Sequence, residues 1–225
     1  MAIADPPYGD TSLQWDRRLI GWPAELLPVL KPAGSLWTFG SFRMFLAMAA
    51  GGDYAAWKLA QDLVWEKHNG SSFHADRFKR VHELAVQHYP ADVAWADVYK
   101  AVVTTPDATA RTVRRKHRPA HTGQIGGHAY ESHDGGPRLA RSVLYVPSCH
   151  GYAENETQKP EGIVDPLIRY SCPPGGLVLS PFMGSGTDLL AARALGRRAI
   201  GCDLRESQCE IAARRLSSTL PLGCV

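Results

Sequence analysis

The chain carries little that would staple a fold, hold a metal or cross a membrane. Five cysteines (Cys149, Cys172, Cys202, Cys209 and Cys224) are an odd number, and none lies in a C-x-x-C pair. That spacing argues against a disulfide framework and against a paired zinc site, so reduced thiols are expected. Nine histidines never form H-E-x-x-H, and no metal is expected. The longest uncharged apolar run near the N-terminus, residues 44–50, falls far short of the roughly 20 residues a bilayer-spanning helix needs. Asp5 stands where a secretory leader would be basic, and no cleavable apolar stretch follows it. A cytoplasmic protein is the expectation.

What is present suits one α/β domain, or a core with a modest insert: 225 residues, of which 44% are apolar and 21% charged. The net charge of +3 is unevenly spread. Residues 101–150 hold seven Lys or Arg against three Asp or Glu, together with five of the nine histidines. A basic insert in a nearly neutral body points to a polyanionic partner.

Residues 1–100 and 151–225 alternate between strand and helix patterns. Strands are expected at 2–4, 35–39, 63–65, 84–89, 177–180 and 198–202, and helices at 22–30, 42–50, 162–170, 187–195 and 206–216. Such alternation builds a mostly parallel, mixed sheet flanked by helices. Residues 106–147 break the pattern, with five glycines and few periodic apolar positions, and read as a loop-rich insert.

Two segments carry chemistry. In Asp5-Pro6-Pro7-Tyr8 the prolines fix φ and remove two donors, leaving backbone carbonyls and the Asp5 carboxylate as outward acceptors. The preceding strand delivers them at its C-terminal end, where open α/β sheets bind ligands. Tyr8 adds a flat face for a planar ring. Two acceptors and a stacking face suit an exocyclic amino group on a heteroaromatic base.

The second segment is Pro181-Phe182-Met183-Gly184-Ser185-Gly186-Thr187, a glycine loop between an apolar strand and a helix. Asp203 ends the next strand, 17 residues after Gly186, in the place of a ribose-binding carboxylate. Leu189 occupies the third glycine position of a dinucleotide fingerprint, and no Gly-Lys-Ser/Thr follows. The cofactor should therefore carry a ribose without a pyrophosphate, which S-adenosylmethionine fits better than NAD or ATP.

Taken together, the chain resembles the β-class amino DNA methyltransferases that use S-adenosylmethionine, in which the catalytic half precedes the cofactor half. Asp5-Pro6-Pro7-Tyr8 is similar to that family's catalytic motif, residues 31–39 and Val64-Trp65-Glu66-Lys67 to its next strands, and Thr157-Gln158-Lys159-Pro160 to the segment before the cofactor half. Residues 182–187 and Asp203 resemble its cofactor loop and acidic ribose ligand. The resemblance implies a Rossmann-like methyltransferase fold divided into a catalytic half (1–100), a target-recognition insert (101–150) and a cofactor half (151–225). It implies Asp5, Pro6, Pro7 and Tyr8 as catalytic residues. Cofactor-binding residues would be Thr157, Gln158, Lys159, Phe182, Gly184, Ser185, Gly186, Thr187 and Asp203.

The implied reaction is methylation of adenine N6 in double-stranded DNA, with the base flipped out of the duplex and Tyr8 stacked on it. Asp5 and the Pro6 carbonyl would accept the amino hydrogens, and residues 9–12 could close as a lid. Arg111, Arg114, Arg115, Lys116 and Arg118 would contact DNA, most of them at phosphates, with His117 and His121 as solvated neighbours. A homodimer is expected. Three departures stand out. Four residues precede Asp5, where the family usually has a strand and a Gly-Asp segment. Ser180 stands where the family often has Asp, and Asp188 where it often has a second Thr. Methylation of cytosine N4 or of an amino group in RNA, an inactive DNA-binding relative and an NAD-dependent oxidoreductase are the competing readings; the missing third glycine counts against the last.

Overall fold

The computed structural model describes residues 1–71, 75–115, 128–149 and 151–218. Lys116, His117, Arg118, His121 and Cys224 lie outside them. Ala2–Ala4 (β1) is apolar at every position because it lies inside a sheet covered on both faces. Ile3 packs into one apolar cluster, while Ala2 and Ala4 face the other, as the two-residue period of a strand requires.

Around β1 the chain forms Trp22–Glu25 (α1), Leu36–Gly40 (β2), Phe42–Ala50 (α2), Trp57–Ser71 (β3) and Arg80–Pro90 (β4). The strands Thr104–Thr105 (β5), Arg111–Arg115 (β6), His128–Ser132 (β7), Arg138–Leu139 (β8) and Val143–Tyr145 (β9) follow. Glu161–Ser171 (α3), Leu177–Ser180 (β10), Thr187–Ala194 (α4), Arg198–Gly201 (β11) and Glu206–Ser218 (α5) complete it. Seven strands make one sheet in the order β11-β10-β1-β2-β4-β3-β9. All its pairs are parallel except β2 with β4 and β4 with β3, so the sheet is mixed and mostly parallel.

The chain leaves β1 toward β2 on one side and leaves β10 toward β11 on the other. Between β1 and β10 lies the topological switch point, where parallel α/β sheets open a crevice at their strand ends. Helices α3 and α4 cover the Ile3 face through Ile163, Val164, Leu167, Ile168, Ala191 and Ala192. Leu26 and Trp57 join Ala2, Ala4 and Leu36 on the opposite face.

Two elements differ from the sequence expectation. The helix expected over 22–30 stops at Glu25, and residues 26 and 27 continue with i→i−3 bonds. Pro28 has no N–H and restricts Leu27, so an α-helical ladder cannot pass through. Strand β3 is far longer than 63–65 because pairing with β4 runs along both its ends through two irregular steps.

The chain divides into two compact units, Met1–Ala101 with Ser142–Val225, and Val102–Arg141. The second holds two antiparallel pairs, β5 with β8 and β6 with β7, where the sequence shows mainly loops. Strand β9 belongs to the main sheet, parallel to β3. Among the described residues no helix is long and apolar enough to cross a membrane, and their four cysteines are all free.

Candidate active site

A cleft of about 330 Å³ opens at the switch point. Asp5 and Pro7, just past β1, form one end of it; Phe182, Gly184, Ser185 and Thr187, just past β10, form the middle; Asp203, just past β11, lies on its wall. Parallel pairing of β10, β1 and β11 brings these distant segments to one sheet edge. A second hollow of similar volume, lined by Leu27, Leu30, Pro90 and Asp92 among others, contains none of the predicted site residues.

The glycine loop has the backbone its composition implies. Gly184 and Gly186 have φ of 49° and 79°, a region other residues enter only with strain. Gly186 is the N-cap of α4, and a Cβ there would stand 2.8 Å from the Ala212 Cβ of α5. The Gly184 amide donates to Asp203 Oδ2 at 3.1 Å, and the Arg205 amide donates to Oδ1 at 2.9 Å. Thus two backbone donors fix Asp203 before any ligand arrives.

The segment before α3 closes the other side. Gln158 Oε1 accepts from Ser185 Oγ at 3.0 Å, and Thr157 and Asn155 also line the cleft. Asn155 is itself held by Gln208 of α5 at 3.0 Å.

Lys159 behaves differently from its neighbours. The resemblance assigns it to the cofactor, but its ammonium is only 8% exposed and sits 2.5 Å from Asp5 Oδ2 and 3.5 Å from Glu83 Oε2. The Tyr8 hydroxyl reaches the same two acids, at 2.8 Å from Asp5 Oδ1 and 3.1 Å from Glu83 Oε2. Lys67 pairs with the remaining Glu83 oxygen. Three aromatic rings, Tyr8, Phe39 and Trp65, lie within 6.0 Å of the Lys159 ammonium, a further stabilisation of its charge.

These contacts set the protonation states. Burial pushes the Asp5 carboxyl above its ordinary range, and the nearby Lys159 charge offsets this only in part. Burial would raise Glu83 as well, but Lys159 and Lys67 overcome it and hold the acid at about 2. For Lys159, burial is outweighed by Asp5 and Glu83, which lift it to about 12. The cluster is therefore an ionised Lys159–Glu83 pair beside one carboxyl whose charge is harder to maintain.

Residues 9–16 are a preformed turn. Asp16 accepts from the Gly9, Asp10 and Thr11 amides at 2.8, 3.1 and 2.7 Å and from the Thr11 hydroxyl at 2.7 Å. Beyond it, Trp15 and Leu19 line the cleft, and the Arg205 guanidinium lies 4.9 Å from the Trp15 ring centroid. Sequence reasoning missed Glu83, Trp15, Leu19, Asn155, Leu204 and Arg205. The last two follow Asp203 directly, so adjacency to a predicted ligand was the available signal.

In the second unit, β6 carries Arg111, Arg114 and Arg115. Strand alternation sets Arg111 on one face with Val113, and Arg114 on the other. Lys116 and Arg118 are beyond the described part of this run.

Comparison with known proteins agrees with this architecture. A family model described as DNA methylase matches residues 1–214. The Type II methyltransferase M.HinfI of Haemophilus influenzae is 26% identical over 89% of this chain, which spans 51% of that relative's length. The crystal structure of an M1.HpyAVI–SAM complex superposes with a TM-score of 0.62 at 22% identity, covering 95% of this chain and 87% of the other. The cytosine-N4-specific PvuII DNA methyltransferase gives 0.61 at 13% identity, covering 97% and 86%. These likenesses establish the Rossmann-like methyltransferase fold. With the family model matched from residue 1 of this chain into α5, the chain belongs to the N6/N4 DNA methylase family.

Proposed function

We propose that this chain binds S-adenosylmethionine and methylates the N6 amino group of an adenine swung out of double-stranded DNA. The observation that carries this reading is the single cleft in which Asp5 and Pro7 face the glycine loop and Asp203. When bound, S-adenosylmethionine supplies an electrophilic methyl group. The donor set fits it: Asp203 offers a carboxylate to ribose hydroxyls, while Leu19, Phe182 and Leu204 give apolar surface for a purine ring. Gly184, Ser185, Gly186 and Thr187, with Thr157 and Gln158, hold the remainder.

Asp5 and the Pro6 carbonyl accept the amino hydrogens and turn the nitrogen lone pair toward the methyl carbon. The bound donor would supply the methyl group and keep its sulfur as a neutral thioether, and Asp5 is the acceptor at hand for the one proton the amino nitrogen would give up. An amino group is a poor nucleophile, so orientation and fixed charge supply most of the rate. The basic strand β6 and the run after it contact DNA, and a homodimer acting in the cytoplasm completes the reading.

The test is modified-base sequencing of DNA from a methylation-deficient host expressing the chain, with Asp5→Ala alongside. N6-methyladenine confined to one short motif, and absent with Asp5→Ala, is expected. N4-methylcytosine would keep the mechanism and overturn the base; no modification from folded protein would overturn the activity.

A further inference from the structure

Asp5 meets the cleft with both oxygens already engaged. The Tyr8 hydroxyl donates to Oδ1 at 2.8 Å and Lys159 Nζ donates to Oδ2 at 2.5 Å. A carboxylate matched so closely by an ammonium is a weakened acceptor for anything else. Yet the transfer asks Asp5 to accept from a neutral amino group, a much poorer competitor than Lys159. Both occupants of Asp5 share one alternative partner. Glu83 Oε2 lies 3.1 Å from the Tyr8 hydroxyl and 3.5 Å from Lys159 Nζ. Lys67 anchors the other Glu83 oxygen from β3, so the alternative acceptor is itself fixed in place.

We propose that Glu83 is a positioning residue for methyl transfer: as the target amino group arrives, Glu83 takes over the Lys159 ammonium and the Tyr8 hydroxyl, and Asp5 is released to accept. The inference rests on the methyltransferase reading above. The motion is small, since a 3.5 Å ion pair needs to close by under about 1 Å to become a strong hydrogen bond. The stored alternative costs little, because the cluster keeps two cations and two acids throughout.

The charged and titratable groups facing Asp5 are Lys159 from the segment before α3, Glu83 from β4, Tyr8 from its own loop and Asp188 from α4, with Lys67 behind Glu83. The Glu83 charge raises the Asp5 pKa, so removing it moves the ionisation of Asp5 to lower pH.

The experiment is single-turnover methylation of unmodified plasmid DNA by wild type and Glu83→Gln across pH 5–9, with S-adenosylmethionine binding measured on the same preparations by calorimetry. The plateau rate of Glu83→Gln should fall about tenfold or more, the scale of one charge-assisted hydrogen bond. Its acid limb should move to lower pH, and its cofactor affinity should stay within about threefold, since Glu83 does not line the cofactor end of the cleft. A plateau within twofold of wild type, an unmoved acid limb, or cofactor binding lost in step with rate would overturn the proposal. Glu83→Asp keeps the charge and withdraws it by one methylene. It carries the test where Glu83→Gln does not fold: a loss of threefold or more with an unmoved limb supports the role, and an unchanged rate overturns it. Transfer absent from folded wild type would sink the underlying reaction instead, so the two failures are distinct.

Discussion

Asp188, in the first turn of α4, accepts a hydrogen bond from Ser180 Oγ at 2.7 Å and is 6% exposed. Burial lifts its pKa to about 7, against which the Ser180 hydrogen bond works only in part. In the sequence, Ser180 and Asp188 stand as two separate departures from the family pattern. The structure joins them in one carboxyl–hydroxyl pair between the end of β10 and the start of α4. An acid with a raised folded-state pKa is favoured in the folded state when neutral. The unfolded chain ionises near 4 while the folded one resists until about 7, so stability is lost as pH rises between those values. Asp188→Asn removes that loss and keeps a partner for Ser180. Urea unfolding should show it more stable than wild type by on the order of 3 kcal/mol at pH 8, with the gain shrinking toward zero near pH 4. A gain of equal size at both pH values would show that Asp188 is not held neutral by burial.

At the scale of elements, the close approach of α4 to α5 depends on Gly186, whose left-handed φ of 79° and proximity to Ala212 leave no room for a side chain. Gly175 has a similar φ of 70° but nothing within 4 Å of a Cβ. Comparing alanine at the two positions separates backbone strain from packing. Gly175→Ala should cost about 1 kcal/mol, and Gly186→Ala about 2–3 kcal/mol, since α4 must also shift from α5. Calorimetry should show weaker cofactor binding for Gly186→Ala alone; equal costs at both sites would deny that the helix contact matters. The loop was legible because glycine spacing and the acid after the next strand are short-range signals. The tetrapeptide at Asp5 was legible for the same reason. Glu83 was not, because it sits in a strand 75 residues from Tyr8 and only the antiparallel pairing of β4 with β2 brings it to the site. The extent of α1 was misjudged where an apolar period outweighed the missing donor of Pro28, and the long β3 was missed because its length is set by pairing with β4, a long-range contact, rather than by its own composition.

For the whole molecule, the property that sets the smaller unit apart is its charge. Net charge is only +3, yet the unit Val102–Arg141 holds seven Lys or Arg against three Asp or Glu. Arg138 is matched by Asp107 within that unit, whereas Arg111 and Arg114 form no ion pair among the described residues. A two-stranded ribbon presents one face to a duplex, and alternation along β6 separates the two arginines. Val113, on the Arg111 face, is 8% exposed and so marks the packed side. Arg114 therefore stands on the outward side. If it contacts a phosphate, neutralising it removes one counterion-release contact, and log affinity should fall less steeply with log salt by about 0.9. Titrations of labelled duplex by fluorescence anisotropy between 50 and 300 mM salt should show this flattening for Arg114→Gln and little of it for Arg111→Gln. The reverse order would mean that the ribbon meets DNA by its Val113 face. Unchanged slopes in both would mean that neither Arg111 nor Arg114 carries the electrostatic contact, and would leave it to the other basic residues of residues 101–150.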